Sequence, residues 1–274
     1  MGWNTFLRGV KMKRFMLQAG ALCALLVSAP FAFGQGTIYW GGSSALWTNA
    51  ANWVGGAAPK NGKTGVIASG QAQINSAAGL YDTGLGETAP AEILVQSGGT
   101  LLYMRYNAAG AASMPDHNLV LDGGTLRTEH PESSDYRYDY EISVRNNSVM
   151  APYMSRIDRS GQFLLYGELK DYDATHTGVL TKQEVGRIVL LGNVSFTGGW
   201  SVQAGLLDAR TTNGVGSGDV TVGNGGSLQF RLPADTDAVY LPNVTVQNGG
   251  FFVAGKGTFF WRRASSFNCS KVRV

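Results

Sequence analysis

Three histidines, His117, His130 and His176, and a few clustered acids are the residues with the most chemical potential in this chain. None of the histidines stands at H-x-x-x-H spacing or near a cysteine, so the sequence offers no zinc site. Asp171, Asp173 and Thr175, followed by Gly178, resemble the first half of a calcium loop. A twelve-residue loop opening at Asp171 needs a bidentate acid at its end and glycine at its sixth place, where Lys182 and His176 stand instead. The stretch reads as a solvated turn. A polysaccharide-cleaving site needs converging carboxylates or an arginine base in one groove. Asp135, Arg137, Asp139 and Glu141 alternate with Tyr136, Tyr138 and Tyr140, so a strand puts the charged set on one side and the tyrosines on the other. That is the pattern of a polar outer face over a half-buried aromatic one. Catalysis would call for acids at the same position on neighbouring strands, and no such ladder is legible. There is no G-x-S-x-G elbow and no phosphate loop. Gly214-Val215-Gly216 opens no helix and fails the context of a dinucleotide site. The expectation is a protein without catalytic residues, cofactor or metal.

The elements that carry these residues follow one recurring phrase. It reads EILVQSGGTLLY from Glu92, NLVLDGGTLRTE from Asn118, DVTVGNGGSLQF from Asp219 and NVTVQNGGFFVA from Asn243. Each copy is a short alternating apolar run, a polar corner ending in two glycines, and a second short run. A weaker copy, EISVRNNSVMAP from Glu141, carries Asn146-Asn147 at the corner, asparagine being the next-best residue for a left-handed backbone. The corner pairs are Gly98-Gly99, Gly123-Gly124, Asn146-Asn147, Gly225-Gly226 and Gly249-Gly250, with Gly198-Gly199 in a related phrase. Their steps are 123−98=25, 146−123=23 and 249−225=24. Strands and sharp corners at such a period spell a stacked β-solenoid. The corners of the phrase are expected in one column along one edge. Val95, Val120 or Leu121, Val144, Val202, Val220 or Val222, Leu228, and Val244 or Val246 are expected in the interior.

The ends differ. Arg8, Lys11, Lys13 and Arg14 precede an apolar run from Phe15 to Val27, and Ala32-Phe33-Gly34 supplies small residues for cleavage. Residues 1–34 therefore read as a secretory signal, with Met12 as an alternative start. Without them the 22 Lys+Arg and 19 Asp+Glu become 22−4=18 against 19, which removes the case for nucleic-acid binding. Cys23 falls in the signal and Cys269 is alone, so no disulfide framework is available. Residues 35–90 hold Trp40, Trp47 and Trp53 and read as a cap over the first coil, a sugar-stacking platform being the alternative use. Residues 91–254 carry the repeats, with 151–186 irregular, and 255–274 lose the pattern and read as a truncated tail. Helical signals are nearly absent, so the fold class is all-β.

From Arg187 to Phe230 the phrase lengthens. Phe196-Thr197-Gly198-Gly199, Trp200 to Val202, Ala204-Gly205-Leu206-Leu207, Gly216-Ser217-Gly218, Val220, Val222, Gly225-Gly226 and Leu228 follow in order. This segment resembles the autotransporter-associated, or passenger-associated, β-strand repeat of secreted bacterial proteins. The resemblance implies a right-handed parallel β-helix displayed on, or released from, a bacterial surface, and a motif that is scaffold with no catalytic residues. The expected function is structural or adhesive: many weak outer-face contacts with surface polysaccharide or other cell-surface ligands, and self-association through open coil ends. The rival class is a carbohydrate-active β-helix enzyme, a polysaccharide lyase or glycosidase. A third reading is an incomplete gene product with no function alone.

Overall fold

The computed structural model describes residues 36–42, 44–59, 63–77, 80–81, 92–106, 112–113, 117–130, 135–154, 162–231, 239–247, 249–254, 259–261, 266–267 and 272–273. The signal expected over 1–34, both cysteines and most of 255–274 lie outside them.

Within these residues the chain is a parallel β-solenoid. The first sheet stacks Thr37–Tyr39, Thr64–Ile67, Glu92–Gln96, Asn118–Asp122, Ile142–Asn146 and Leu169–Asp171 in that order. The second stacks Ser44–Leu46, Gly70–Ala77, Gly99–Tyr106, Thr125–His130, Ser148–Met154, Leu180–Lys182, Trp200–Val202, Val220–Val222, Val244–Val246 and Ser266–Phe267. The third runs Ala112–Ser113, Tyr136–Tyr138, Gln162–Leu165, Arg187–Leu190, Gly205–Ala209, Gly226–Phe230, Phe251–Ala254 and Val272–Arg273. In each full coil the chain visits the three in turn, then climbs one rung. Leu80–Tyr81 is an antiparallel side strand on Gly70–Ala77, and Val239–Leu241 pairs with Phe259–Trp261 apart from the main sheets. The only described helical turn is Ala50–Asn52, closed by the Asn49 side chain accepting from the Ala51 amide at 3.1 Å.

Alternation fixes which side chains face inward. In Glu92–Gln96 only Ile93 and Val95 are buried. Parallel stacking then sets like beside like: Ile93, Leu119, Ile142, Leu169 and Val194 form one interior ladder, and Ile67, Val95, Leu121 and Val144 another. Every position expected in the interior is buried, both members of each alternative pair included. A corner must turn within two or three residues, and the strands are short because a coil has only three short faces. Residues 151–186, irregular in sequence, continue the stack through strands on all three faces. Coil length is not constant: Trp200 pairs with Val220, a step of 220−200=20, whereas Val220 pairs with Val244, a step of 244−220=24.

Trp40, Trp47 and Trp53 pack together in the first coil. All three are buried, Trp53 meeting Trp40 and Trp47 edge-on at 5.1 and 4.5 Å between centroids. The Trp53 indole donates to the Trp47 carbonyl at 2.7 Å. With their faces inside the protein, these rings offer no platform to a sugar. Strands from Thr37 onward already stand in register with Glu92–Gln96, so the segment expected as a cap also supplies rungs.

Candidate functional site

The corner residues are brought together in two columns, not one. Gly98-Gly99, Gly123-Gly124 and Asn146-Asn147 turn the chain from the first sheet to the second. Gly198-Gly199 stands just before the second-sheet strand Trp200–Val202 and joins them, since Leu180 pairs with Trp200 and follows Ser148 by one rung. Gly225-Gly226 and Gly249-Gly250 turn from the second sheet to the third, where the Gly205 amide donates to the Gly225 carbonyl at 3.1 Å and Gly225 to Gly249 at 3.4 Å. The single column expected from the phrase is thereby corrected. A turn between two short strands has the same local needs at either corner, so the same words serve both.

The pair of glycines divides the work, as Gly98-Gly99 illustrates. Gly98 adopts φ +88°, a left-handed backbone that costs an L-residue about 1 kcal/mol or more. At Gly99 a Cβ would lie 2.0 Å from the Ile67 carbonyl oxygen, so the missing side chain lets two coils touch. Asn146-Asn147 solves the turn otherwise. Neither asparagine is left-handed; the register instead slips between Val144 and Asn146, and Asn147 Oδ1 accepts from the Val179 amide of the next coil at 2.8 Å. The asparagines are there for their side-chain amides, Asn147 accepting through its carbonyl and Asn146 donating its Nδ2 to Asp122 Oδ1 at 2.6 Å, which corrects the reason given for them from sequence.

The catalytic candidates are all engaged. Arg137 Nε donates to Asp139 at 2.8 Å, and its guanidinium lies 4.3 Å from the Tyr166 ring centroid. Asp135 accepts from the Gln162 amide at 3.0 Å. Glu141 pairs with Lys170 at 2.8 Å and accepts from Ser143 at 2.7 Å. Burial alone would raise the Glu141 carboxyl, but the Lys170 and Ser143 hydrogen bonds and the Lys170 charge outweigh it and hold the group low. Tyr136 and Tyr138 are buried, Tyr138 donating to the His117 carbonyl at 2.7 Å, as the alternation requires. His117 is itself buried, its Nε2 2.6 Å from the Tyr103 hydroxyl. Asp171 and Asp173 do not converge. Asp171 accepts from the Thr197 amide and hydroxyl at 3.0 and 2.6 Å, while Asp173 folds onto its own turn. Hydrogen bonds from Thr175 and His176 hold the Asp173 carboxyl well below the usual range. Among the described residues no three His, Cys, Asp or Glu side chains are disposed around a common metal position.

One feature contradicts the sequence reading. Acids do stack at one position on neighbouring coils. Glu92 pairs with Asn118, and Glu141, Glu168 and Asn193 follow, since each immediately precedes a member of the ladder Leu119, Ile142, Leu169, Val194. Burial, and then the Glu141 charge, raise the Glu92 carboxyl. Higher up, Asn193 donates to Glu168 at 2.8 Å and Asn213 to Asn193 at 2.6 Å. The signal was present: an acid or asparagine just before an aliphatic residue, at steps of 118−92=26, 141−118=23, 168−141=27 and 193−168=25.

Lys182 was missed altogether. It occupies an inward ladder position between Met150 and Val202 and is 0% exposed. Its Nζ donates to the carbonyls of Gln183, Glu184 and Ala204 at 2.8, 2.7 and 2.9 Å, and Glu184 is the one described non-glycine residue with positive φ, 63°. Burial pushes the Lys182 ammonium down to about 7, against the pull of the Glu184 charge.

The long phrase from Arg187 to Phe230 has a residue-by-residue explanation. Phe196, Trp200, Val202, Leu207, Val215, Val220, Val222, Leu228 and Phe230 are all interior. The Trp200 indole crosses the core to donate to the Val215 carbonyl at 3.0 Å. Most of its glycines fall at the two corner columns, and Gly216 and Gly218 abut the Phe196 and Thr197 carbonyls of the coil below.

These features define a class, a parallel β-solenoid with glycine corners inside ladders of paired polar side chains. Within that class the chain is similar to the BmaC autotransporter, an adhesin of Brucella suis biovar 1 (strain 1330), with 31% identity over 151 residues. The matched part is 54% of this chain and 4% of that protein, so the chain spans a small fraction of the relative's length. No family model and no solved structure matches the chain. Among the described residues no helix is long and apolar enough to cross a membrane, which says nothing of a β-barrel.

Proposed function

We propose that this chain serves as an adhesive segment of the bacterial cell surface, exported behind residues 1–34 and free of catalytic activity. The observation that carries the reading is the stack itself. Interior strands find backbone partners above and below, so a solenoid can present a long, rigid outer face without exposing strand edges along its length. Similarity to an autotransporter adhesin supports the same use. The outer face holds three arginines over tyrosine rings, Arg127 on Tyr153, Arg137 on Tyr166 and Arg145 on Tyr172, at 5.8, 4.3 and 5.1 Å. Arginine and tyrosine in such pairs are the side chains that carry binding energy in many interfaces. Each contact is weak, and repetition along the stack sums them. The ligands in view are surface polysaccharides or other cell-surface molecules, and open coil ends favour self-association. The test is retention of host or bacterial cells on immobilised full chain. Retention no better than on an unrelated β-protein would end the adhesive reading.

The acid ladder favours one second reading, a polysaccharide lyase or glycosidase acting along Glu92, Glu141 and Glu168. A glycosidase works with two carboxyls whose protonation is pushed apart, and Glu92 is raised while Glu141 is lowered. Release of reducing or unsaturated sugar from a polysaccharide panel, abolished in Glu141→Gln, would establish the enzyme and displace the adhesin.

A further inference from the structure

The third sheet carries a charge cluster that neither the sequence phrase nor the adhesive reading accounts for. Asp208 is an outward-pointing residue of Gly205–Ala209, opposite Val189 below and Gln229 above, yet it is 0% exposed. Three arginines from three coils cover it. Arg187 Nη2 reaches its Oδ2 at 2.6 Å, Arg210 Nε at 3.0 Å and Arg231 Nη2 at 2.5 Å. The register explains the convergence. The Arg210 amide donates to Leu190 and the Arg231 amide to Ala209, so Arg210 and Arg231 share one position on successive coils, with Arg187 diagonal on the coil below.

Three guanidinium groups against one carboxylate leave two positive charges. One carboxylate has two oxygens, whereas each guanidinium has five N–H donors, so most donors are turned elsewhere. Arg187 Nε is shielded from solvent and has no partner among the described residues. The side chains are 23%, 32% and 40% exposed for Arg187, Arg210 and Arg231. Asp208 thus acts as a buried anchor that orders three forks and leaves their outer edges open. Guanidinium forks match planar and tetrahedral oxyanions by paired hydrogen bonds.

We infer that the Arg187–Arg210–Arg231 cluster on Asp208 is a binding site for the carboxylate or sulfate groups of an acidic polysaccharide. The inference rests on the adhesive reading and gives it a ligand class. Two excess charges are too few for duplex nucleic acid, where about six to ten phosphate contacts are usual. Beside the cluster the outward residues Leu206, Ser227 and Gln229 are uncharged, a neutral strip of the sheet on which a sugar ring can lie while its anionic group meets the forks. The site needs no movement to form, since the carboxylate beneath already holds the arginines in place.

The test is Arg210→Gln/Arg231→Gln in the full chain. It lowers the local charge from two positive to neutral and leaves Arg187 paired with the buried Asp208. Binding is measured to heparin and polygalacturonate, with dextran as neutral polysaccharide, a DNA duplex and phosphatidylglycerol vesicles as other anions. Wild type should bind the two acidic polysaccharides, dextran not at all, and the double variant should bind about ten-fold or more weakly with a shallower salt slope. Lys63→Gln, an exposed charge just before the first-sheet strand Thr64–Ile67, should bind as wild type. Arg231→Lys, which keeps the charge and serves as the second variant should the double one fail to fold, should retain charge-driven binding but lose a few-fold through the lost fork. Equal binding by wild type and Arg210→Gln/Arg231→Gln, equal loss in Lys63→Gln, or preference for DNA or vesicles would each overturn the site. Cell retention by wild type without acidic-polysaccharide binding removes the site and spares the adhesive reading. Polysaccharide binding without cell retention does the reverse.

Discussion

Lys182 offers the sharpest test of the stack, because a lysine inside a ladder of aliphatic residues must leave a mark on stability. The perturbation is Lys182→Met, which matches Met150 on the rung below and removes the charge. Burial lowers the ammonium from 10.5 to about 7, and 3.5 pKa units correspond to about 5 kcal/mol. The sign follows from proton counting. Between the folded and unfolded values the unfolded chain holds a proton that the folded one has shed, so stability rises with pH. The penalty is fully present below about 7 and is recovered as pH approaches 10.5. Stability at one pH is a poor readout: the substitution removes the penalty and also strands three carbonyls, each worth about 1–3 kcal/mol when left unpaired, and these nearly cancel. The slope does not cancel. From pH 7 to pH 9 wild type should gain about 2–3 kcal/mol relative to Lys182→Met, read as the shift in urea midpoint at a common m value. The window closes near pH 10, because burial raises Tyr103 and Tyr138, and their folded-state protons then destabilise the fold as pH climbs. Parallel pH profiles for the two proteins would refute the placement of Lys182, as would an NMR titration of its Nζ near 10.5.

Other expectations follow from the same geometry. Gly99→Ala should cost about 3 kcal/mol or more in a chemical melt, because its Cβ would meet the Ile67 carbonyl; Gly55→Ala, left-handed but in open space, should cost only about 1 kcal/mol. Val95→Ala or Leu121→Ala should cost about 2–5 kcal/mol by the same measurement, and a change below 1 kcal/mol would place these residues outside the ladder. N-terminal sequencing of exported protein should begin near Gln35, whereas a retained leader would move the protein to the inner membrane.

Much of the fold is legible because a solenoid writes its geometry locally. Alternation at Glu92–Gln96 or Val220–Val222 names the inward residues, and glycine pairs name the turns. Neither says which turn. VQSGGTLLY and VGNGGSLQF spell the same backbone event at two different corners, and only a continuous count of rungs through residues 151–186 separates them. That count was broken in sequence by the Tyr172–Val179 loop and by a coil that shortens to 20 residues between Trp200 and Val220.

The outer face was less legible for a related reason. A side-chain cluster on a solenoid is assembled from coils about two dozen residues apart, so its members never sit together in sequence. Arg187, Asp208 and Arg231 look like three ordinary charges until the pairing of Ile188 with Leu207, and of Leu207 with Leu228, sets their strands edge to edge. The same holds for Glu92, Glu141 and Glu168. Lys182 failed for the opposite reason. Its strand, Leu180–Lys182, gives the right alternation, and the error lies in assuming that a charged residue must point outward. The corner beside it supplies what that assumption leaves out: three carbonyls at the second turn, one of them from the left-handed Glu184, converge where an interior side chain of lysine's length can reach. A solenoid corner without a glycine pair leaves carbonyls in need of a donor, and here a core position provides it. The chemistry of this protein is therefore set by register, and any reading of its ligands has to start from which residues the rungs place side by side.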